Sequence, residues 1–600
     1  MSILNRSIHF TKNLLDFLLN TSGLGTNTVL NEGNPEYVEK IINDIGLQIL
    51  VSDEDLEQIP KEGAFVTISN HPFGGIDGIL LLHMLLKRRP DFKILATPIL
   101  WKIYPLVDYF IRFDSSRRRS EVKPSLSGMR QVVGHAGKGH PLGFFPAGEV
   151  ASYDPDTKMV SDKRWKTAYI KLLRSLEVPI VPIYIQGKNS NLYNLASSIH
   201  PILGSAGEFF GKKKEIRVRI GSPILPKETE TIEDLDKYGR YLRAKTHALE
   251  SQIEIKKFFF KTGFRHTKEP DPVIDPVPVD VMKNEIENFK KEYELFTSEK
   301  YTVYVAPTVE MPNIHREIGR VREITFRAVG EGTNQSIDID EFDLYYHQLF
   351  IWDNEDNQIV GAYRVGKGKE IISKFGVKGF YIRSLFRIHK DFIPVLEESI
   401  ELGRSFIVEK YQRKPMSLFL LWKGILYFLL KHPEYRFLIG PVSISNEFSK
   451  FSKDLIIKFL KQNHYDNEMG RLITPRKKFK VHSKYDTDIV LEKARNDINI
   501  LDRFISDIEP ENYRMPVLLK KYLKQNAKLI GFNIDPKFNN ALDGLIILDL
   551  FEVPFNMIES LSKEVNDNSI LDRFKISEVE KKNEKTEQES INDIEEKKDV

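Results

Sequence analysis

His71 and Asp77 stand six residues apart in Thr67-Ile68-Ser69-Asn70-His71-Pro72-Phe73-Gly74-Gly75-Ile76-Asp77-Gly78, just after the apolar run Ala64 to Ile68. Gly74 and Gly75 let the chain fold back and bring imidazole to carboxylate. A carboxylate beside an imidazole fixes its tautomer and raises its basicity, so the ring can take a proton from an alcohol near neutral pH. The amide of Asn70 can organise the turn. Further on, Gly143-Phe144-Phe145-Pro146-Ala147-Gly148-Glu149 ends a strand pattern in a Pro/Gly turn that carries a carboxylate.

A second set of charges lies in the other half. Arg322 and Phe326 are one helical turn apart, Asp340 and Asp343 are three apart, and Arg364 closes the strand pattern Ile359 to Tyr363. Glu401 and Arg404 have the spacing of one helix face. Any one pair reads as a surface ion pair of little worth. Their order and spacing together point to a site.

Two α/β patterns must position these groups. In the first, Ala64–Ile68, Leu142–Phe145, Ile180–Tyr184 and Ile216–Ile220 read as strands; Ile79–Leu86, Trp165–Leu176 and Ile232–Leu249 read as helices. In the second, Leu349–Trp352, Ile359–Val365, Phe406–Val408 and Leu438–Val442 read as strands; Pro394–Leu402 and Leu418–Leu430 read as helices. Four prolines fall between Pro270 and Pro278, which marks an extended connector. The expected organisation is a first domain over 1–265, a linker over 266–282, a second domain over 283–560 and a charged, disordered tail over 561–600.

Composition narrows the chemistry. The 600 residues exceed one ordinary core, and the absence of cysteine excludes disulfides, Cys-ligated metal and a thiol nucleophile. No Gly-x-Ser-x-Gly elbow is present, so direct transfer is expected over an acyl-enzyme. A net charge of +3 argues against a nucleic-acid binder. No signal peptide and no run long enough to span a bilayer is visible, so an intracellular location is expected. Arg117–Arg119, Lys212–Lys214 and Lys256–Lys261 could face anionic lipid.

The first half resembles the glycerolipid acyltransferases, which include the lysophosphatidic acid acyltransferases. That family shows a His–Asp motif, an arginine-bearing segment, Phe-Pro-Glu-Gly and Val-Pro-x-x-Pro, in this order. Here the counterparts are His71/Asp77, Arg112 in Tyr109–Asp114, Phe145-Pro146-Ala147-Gly148-Glu149, and Val178-Pro179-Ile180-Val181-Pro182. Two departures stand out: five residues rather than four separate His71 from Asp77, and the carboxylate of the third motif is displaced by two. The resemblance implies that His71 and Asp77 are catalytic and that Asn70, Gly74, Gly75, Arg112, Pro146, Gly148 and Glu149 bind substrate.

The second half resembles the acyl-homoserine-lactone synthases, of the broad N-acetyltransferase-like (GNAT) fold, and more closely the ornithine-lipid N-acyltransferases once labelled putative haemolysins. The resemblance implies that Glu401 binds or deprotonates an amine, assisted by Asp343 or Asp340. It implies that Arg322, Phe326, Arg364 and Arg404 bind substrate, position those acids or dock the donor. Arg364-Val365-Gly366-Lys367-Gly368 is one residue short of a coenzyme A pyrophosphate loop, which favours acyl carrier protein as donor over coenzyme A.

Together these readings imply a bifunctional aminolipid synthase of α/β fold. It would N-acylate an amino acid of the ornithine type with a 3-hydroxyacyl thioester, then O-acylate the 3-hydroxyl, on the cytoplasmic membrane face. No metal or resident cofactor is expected, and no nucleic-acid partner. The alternatives are a lysophospholipid acyltransferase with an acyl-carrier-binding second half, and a haemolysin-like membrane-binding protein.

Overall fold

The computed structural model describes residues 35–44, 46–96, 104–112, 126–154, 159–162, 164–186, 214–250, 270–329, 331–480, 486–509, 513–536, 538 and 540–574. Two of the basic clusters, Arg117–Arg119 and Lys256–Lys261, lie outside this range, as do Lys212 and Lys213. Contacts divide the chain into two compact units. The first takes Met1–Phe264 together with Ser449–Phe451 and Ser483–Arg514; the second takes the remainder. The Ser483–Arg514 stretch, expected in the second domain, therefore clusters with the first. There Lys245, buried on helix Leu235–Ala248, pairs with Asp507 and with Glu228 at 3.1 Å.

The first unit is built on a seven-stranded sheet of order β1-β9-β8-β2-β5-β3-β4. Its strands are β1 (Leu47–Leu50), β2 (Val66–Ser69), β3 (Lys93–Ala96), β4 (Phe110–Arg112), β5 (Leu142–Phe144), β8 (Ile180–Ile185) and β9 (Lys214–Ile220), with β6 (Ser152–Asp154) and β7 (Met159–Ser161) forming a separate hairpin. Strands β2, β3, β4, β5 and β8 run parallel. Their carboxyl ends therefore share one edge, where open parallel sheets place ligands. Helix Gly75–Leu85 is apolar all round and is buried accordingly, with Ile79, Leu80, Leu81 and Leu82 each at 1 % exposure or less.

The second unit carries an eight-stranded sheet of order β10-β11-β12-β13-β15-β16-β19-β18. Its strands are β10 (Glu294–Ser298), β11 (Tyr301–Pro307), β12 (His347–Asp353), β13 (Gln358–Lys367), β15 (Ser399–Ile407), β16 (Phe437–Ile444), β18 (Lys528–Asp535) and β19 (Ala541–Asp549); β14 (Phe386–Ile388) and β17 (Ile473–Pro475) pair separately. Every pairing in the large sheet is antiparallel except β15 with β16, which pair only from Ser399 to Glu401 and from Phe437 to Ile439. Beyond that point the two strands part. Helix Pro312–Ala328 turns Ile314, Ile318 and Arg322 inward at four-residue spacing, which carries an arginine into the core.

Several sequence expectations are corrected here. The helix expected over Pro394–Leu402 ends at Glu397, and Ser399–Ile407 is a strand. Pairing on both sides, to β13 and β16, outweighs the helical spacing of its residues. Arg364 sits within β13 rather than at its end. In the expected linker, Asp271 and Ile274 donate backbone hydrogen bonds to Asn334 and Ser336, and a helix begins at Val279. Residues 561–574 of the expected tail are structured: helix Phe555–Val565 runs past residue 561, and Arg573 donates to the carbonyls of Leu429 and Tyr435 at 2.8 Å each; the rest of that stretch lies outside the described residues. Among the described residues no helix is long and apolar enough to cross a membrane.

Candidate active sites

The loop after β2 delivers His71 to the carboxyl edge of the first sheet. Gly74, at φ 74°, makes the reversal and caps helix Gly75–Leu85, whose first turn holds Asp77. His71 Nδ1 lies 2.8 Å from Asp77 Oδ2, and the same oxygen accepts the Phe73 amide at 2.9 Å. Asp77 is fully buried, whereas the His71 side chain keeps 16 % exposure. Burial pushes the Asp77 carboxyl above its ordinary range, against the opposing pull of the His71 ring. The Asp77 contact holds the proton on Nδ1, leaving Nε2 as the basic atom.

Three further contacts fix the loop and its ring. Asn70 forms a two-way clamp with Ile185 at the end of β8, donating at 2.8 Å and accepting at 2.7 Å. Phe145 stacks on the imidazole with centroids 4.4 Å apart. Ala151 donates to the His71 carbonyl at 2.8 Å, which brings the Pro146–Glu149 turn alongside. In that turn Gly148 has φ 64°, and an added Cβ would meet Lys166 and Tyr169 at 3.0–3.1 Å. Glu149 faces Lys166 Nζ at 3.5 Å. Arg112 ends β4, three strands from β2 in the sheet order, on the same carboxyl edge.

Asp162 had no signal in the sequence. Its Oδ1 accepts the backbone N–H of His71 at 3.1 Å across 91 residues. Its Oδ2 lies 3.7 Å from His247 Nε2, and both side chains are buried. Burial raises the Asp162 carboxyl to about 6.

In the second unit the sequence-selected residues converge. Arg322, buried, donates through Nε to Asp338 at 2.9 Å and through Nη2 to Asp343 at 3.0 Å. Arg364 Nη1 donates to Asp340 at 2.5 Å. Arg404 Nη2 donates to Asp340 at 3.3 Å, and its Nε lies 3.4 Å from Asp338. Asp340 and Asp343 close a capping box around the turn Glu341–Leu344. Burial alone would raise Asp343; the Arg322 guanidinium, His315 and Arg364 overcome it and hold the carboxyl far below the usual range. Phe326 stands edge-on to Phe406 and Phe538, and Arg404 lies over the Phe538 ring at 4.4 Å.

Glu401 and Arg404 do share a face, for a reason other than helical spacing. On β15 three steps from Gly403 to Phe406 oppose two steps from Arg364 to Ala362, and Arg404 takes φ 51°. This bulge inserts one residue and inverts the strand's alternation. Glu401, however, is not open. Oε1 accepts the Ile382 amide at 2.7 Å; Oε2 accepts the Tyr381 amide at 3.1 Å and the Tyr346 hydroxyl. At 1 % exposure it is enclosed by these donors. A second carboxyl of this sheet is about as buried, at 2 % exposure. Asp543 on β19 accepts Ser443 Oγ at 2.7 Å, and burial, with Asp535 and Glu331 nearby, lifts it to about 7. Asp535 in turn accepts the Tyr381 hydroxyl at 3.3 Å.

Comparison with known proteins finds an acyltransferase relationship in each half of the chain. An acyltransferase family profile matches residues 27–255, and an acetyltransferase (GNAT) domain profile matches residues 321–423. The glycine N(alpha)-acyltransferase of Bacteroides thetaiotaomicron is 30% identical over 280 residues, 45% of this chain and 77% of its own length. That of Phocaeicola vulgatus is 27% identical over 300 residues, 47% of this chain and 90% of its own. The lyso-glycine lipid O-acyltransferase of Bacteroides thetaiotaomicron is 26% identical over 214 residues, 33% of this chain and 75% of its own. Among solved structures, the 1-acyl-sn-glycerophosphate acyltransferase of Thermotoga maritima aligns at 18% identity and TM-score 0.22, over 44% of this chain and 98% of its own. A coenzyme A-dependent acyl-homoserine lactone synthase aligns at 10% identity and TM-score 0.25, over 45% and 92%.

The chain is an acyltransferase with an acyltransferase-like α/β unit followed by a GNAT-like one. It belongs to the family of the Bacteroides thetaiotaomicron glycine N(alpha)-acyltransferase.

Proposed function

We propose that the chain is a bifunctional aminolipid synthase, with both acylations carried by one polypeptide. The supporting observation is that a His–Asp dyad at a sheet's carboxyl edge and a GNAT-like sheet with a buried arginine–carboxylate network occur in the same chain. Relatives that separately N-acylate glycine and O-acylate a lyso-glycine lipid support the order of steps.

In the second unit the amine nitrogen of an amino acid attacks a 3-hydroxyacyl thioester. The C–N bond forms, the C–S bond breaks, and the thiol leaves with the proton the amine gives up. Asp543 takes that proton first, since a carboxyl near 7 both accepts and returns it. Glu401 is a positioning residue that holds the Tyr381 loop. In the first unit Nε2 of His71 removes the proton of the 3-hydroxyl, the oxygen attacks a second acyl thioester, the C–O bond of the ester forms as the C–S bond breaks, and the imidazolium returns the proton to the leaving thiolate. Asp77 stabilises the imidazolium. The developing oxyanion is held by donors beside the Pro146–Glu149 turn other than the Gly148 amide, which is bonded to the Phe145 carbonyl. The acceptor is glycine or a larger amino acid such as ornithine. The donor is an acyl carrier protein thioester, and the enzyme works at the cytoplasmic surface of the membrane.

The test is expression in a host without aminolipids, followed by lipid mass spectrometry. Wild type should yield a diacyl aminolipid, and His71→Ala only the N-monoacyl form. Lysophosphatidic acid consumption without any acylated amino acid would replace this reading with that of a lysophospholipid acyltransferase.

A further inference from the structure

Arg364 is 1 % exposed, yet only one of its three nitrogens is satisfied. Nη1 donates to Asp340, while Nε and Nη2 have no hydrogen-bond partner among the described residues. Those two atoms form the side-on edge of the guanidinium, whose parallel N–H groups fit the two oxygens of a carboxylate. The faces of the group are covered by the rings of Phe342, Tyr346 and Tyr381, each 5.3–5.4 Å away, so only the edge is left. Buried donors without acceptors are costly and rare in native proteins.

What lies against that edge is an absence of side chain. Gly403 is the register partner of Arg364 across β13 and β15. A Cβ built on Gly403 would sit 4.0 Å from both Nε and Nη2 and near nothing else. Gly403 also borders the wedge where β15 and β16 part, together with Gly440, Leu402 and Ser405. The other two arginines are differently committed. Arg404 Nη2 donates to Asp340 while its Nε only faces Asp338 at 3.4 Å without a hydrogen bond, and Arg322 keeps a single nitrogen, Nη1, without a partner. Neither offers a fork.

We propose that the Nε/Nη2 edge of Arg364, opened by Gly403, is the anchor for the carboxylate of the amino-acid acceptor. This rests on the N-acyltransferase reading above. It narrows the acceptor to amines that carry a carboxylate close by, and it assigns Gly403 as a specificity-determining position.

The experiment uses the full chain with a 3-hydroxypalmitoyl thioester and four acceptors: glycine, glycinamide, ornithine and ornithinamide. Wild type should use each acid at least about 100-fold better in kcat/KM than its amide, because the amide leaves the fork partly unpaired. Gly403→Ala places a methyl in ordinary contact distance of the fork without a strained φ, so it should fold as wild type does. It should raise KM for the acids about 10-fold or more, with kcat nearly kept, and pull the acid-to-amide ratio toward one. Equal use of acids and amides by wild type overturns the anchor, as does an unchanged ratio in Gly403→Ala. Acylation of no amine at all overturns the N-acyltransferase reading together with it.

Discussion

Asp77→Asn separates catalysis from stability in this protein. Asn is isosteric, and through its oxygen it can keep both the His71 Nδ1 and the Phe73 amide as donors. What is lost is the charge opposite the imidazolium, in a fully buried position. If the amide flips, its NH2 meets Nδ1 and forces the proton to Nε2, the atom that must accept one. General-base assistance is worth about 10²- to 10⁴-fold, so kcat/KM for O-acylation should fall by that range, about 3–5 kcal/mol of transition-state stabilisation. Stability should move the other way. Burial raises the folded carboxyl above its unfolded value, so its contribution is greatest at low pH and is lost as pH rises through the folded value. Above that value the ionised group is a penalty that Asn removes. The assay is ester formation on a purified 3-hydroxyacyl amino acid, paired with thermal unfolding at pH 7.5. O-acylation within threefold of wild type, or a melting temperature several degrees lower, would refute the reasoning.

Asp162→Ala should lower kcat for O-acylation by about 10- to 100-fold, because the His71 backbone loses its anchor, whereas Asp162→Asn keeps an acceptor and should retain most of it. The Asp162 carboxyl is raised to about 6, so its stabilising contribution is present below its unfolded value and lost as pH rises through 6; Asp162→Asn should raise the melting temperature at pH 7.5 and not at pH 4. Asp343→Asn should destabilise the second unit by up to about 3–5 kcal/mol in urea unfolding at pH 7, since it removes one of the two carboxylates that neutralise the buried Arg322 and leaves only Asp338. The Asp343 carboxyl is held far below the usual range, so its stabilisation is full above its unfolded value and declines only as pH falls towards the folded one; the deficit of the variant should narrow below about pH 4 and still be measurable at pH 2. Glu401→Gln replaces an acceptor oxygen with NH2 against donors from Tyr346, Tyr381 or Ile382, and should depress N-acylation while O-acylation, assayed separately, stays intact.

The sequence by itself determined whatever is local in the chain. Six residues with a positive-φ glycine suffice to bring His71 onto Asp77, so that dyad could be read from spacing alone. The apolar runs of β2, β5 and β8 were legible because parallel strands buried on both faces need continuous hydrophobic stretches. The arginine and aspartate positions of the second unit were legible as a set. Tertiary structure alone decided what they do. Ser399–Ile407 became a strand because β13 and β16 claim it from both sides, and a bulge at Arg404 returned Glu401 and Arg404 to one face. Pairing across 91 residues made Asp162 part of the His71 site, and burial beside Asp535 made Asp543 titrate near neutrality. Desolvation and long-range pairing depend on which chain segments become neighbours, and residue spacing along one segment does not encode that.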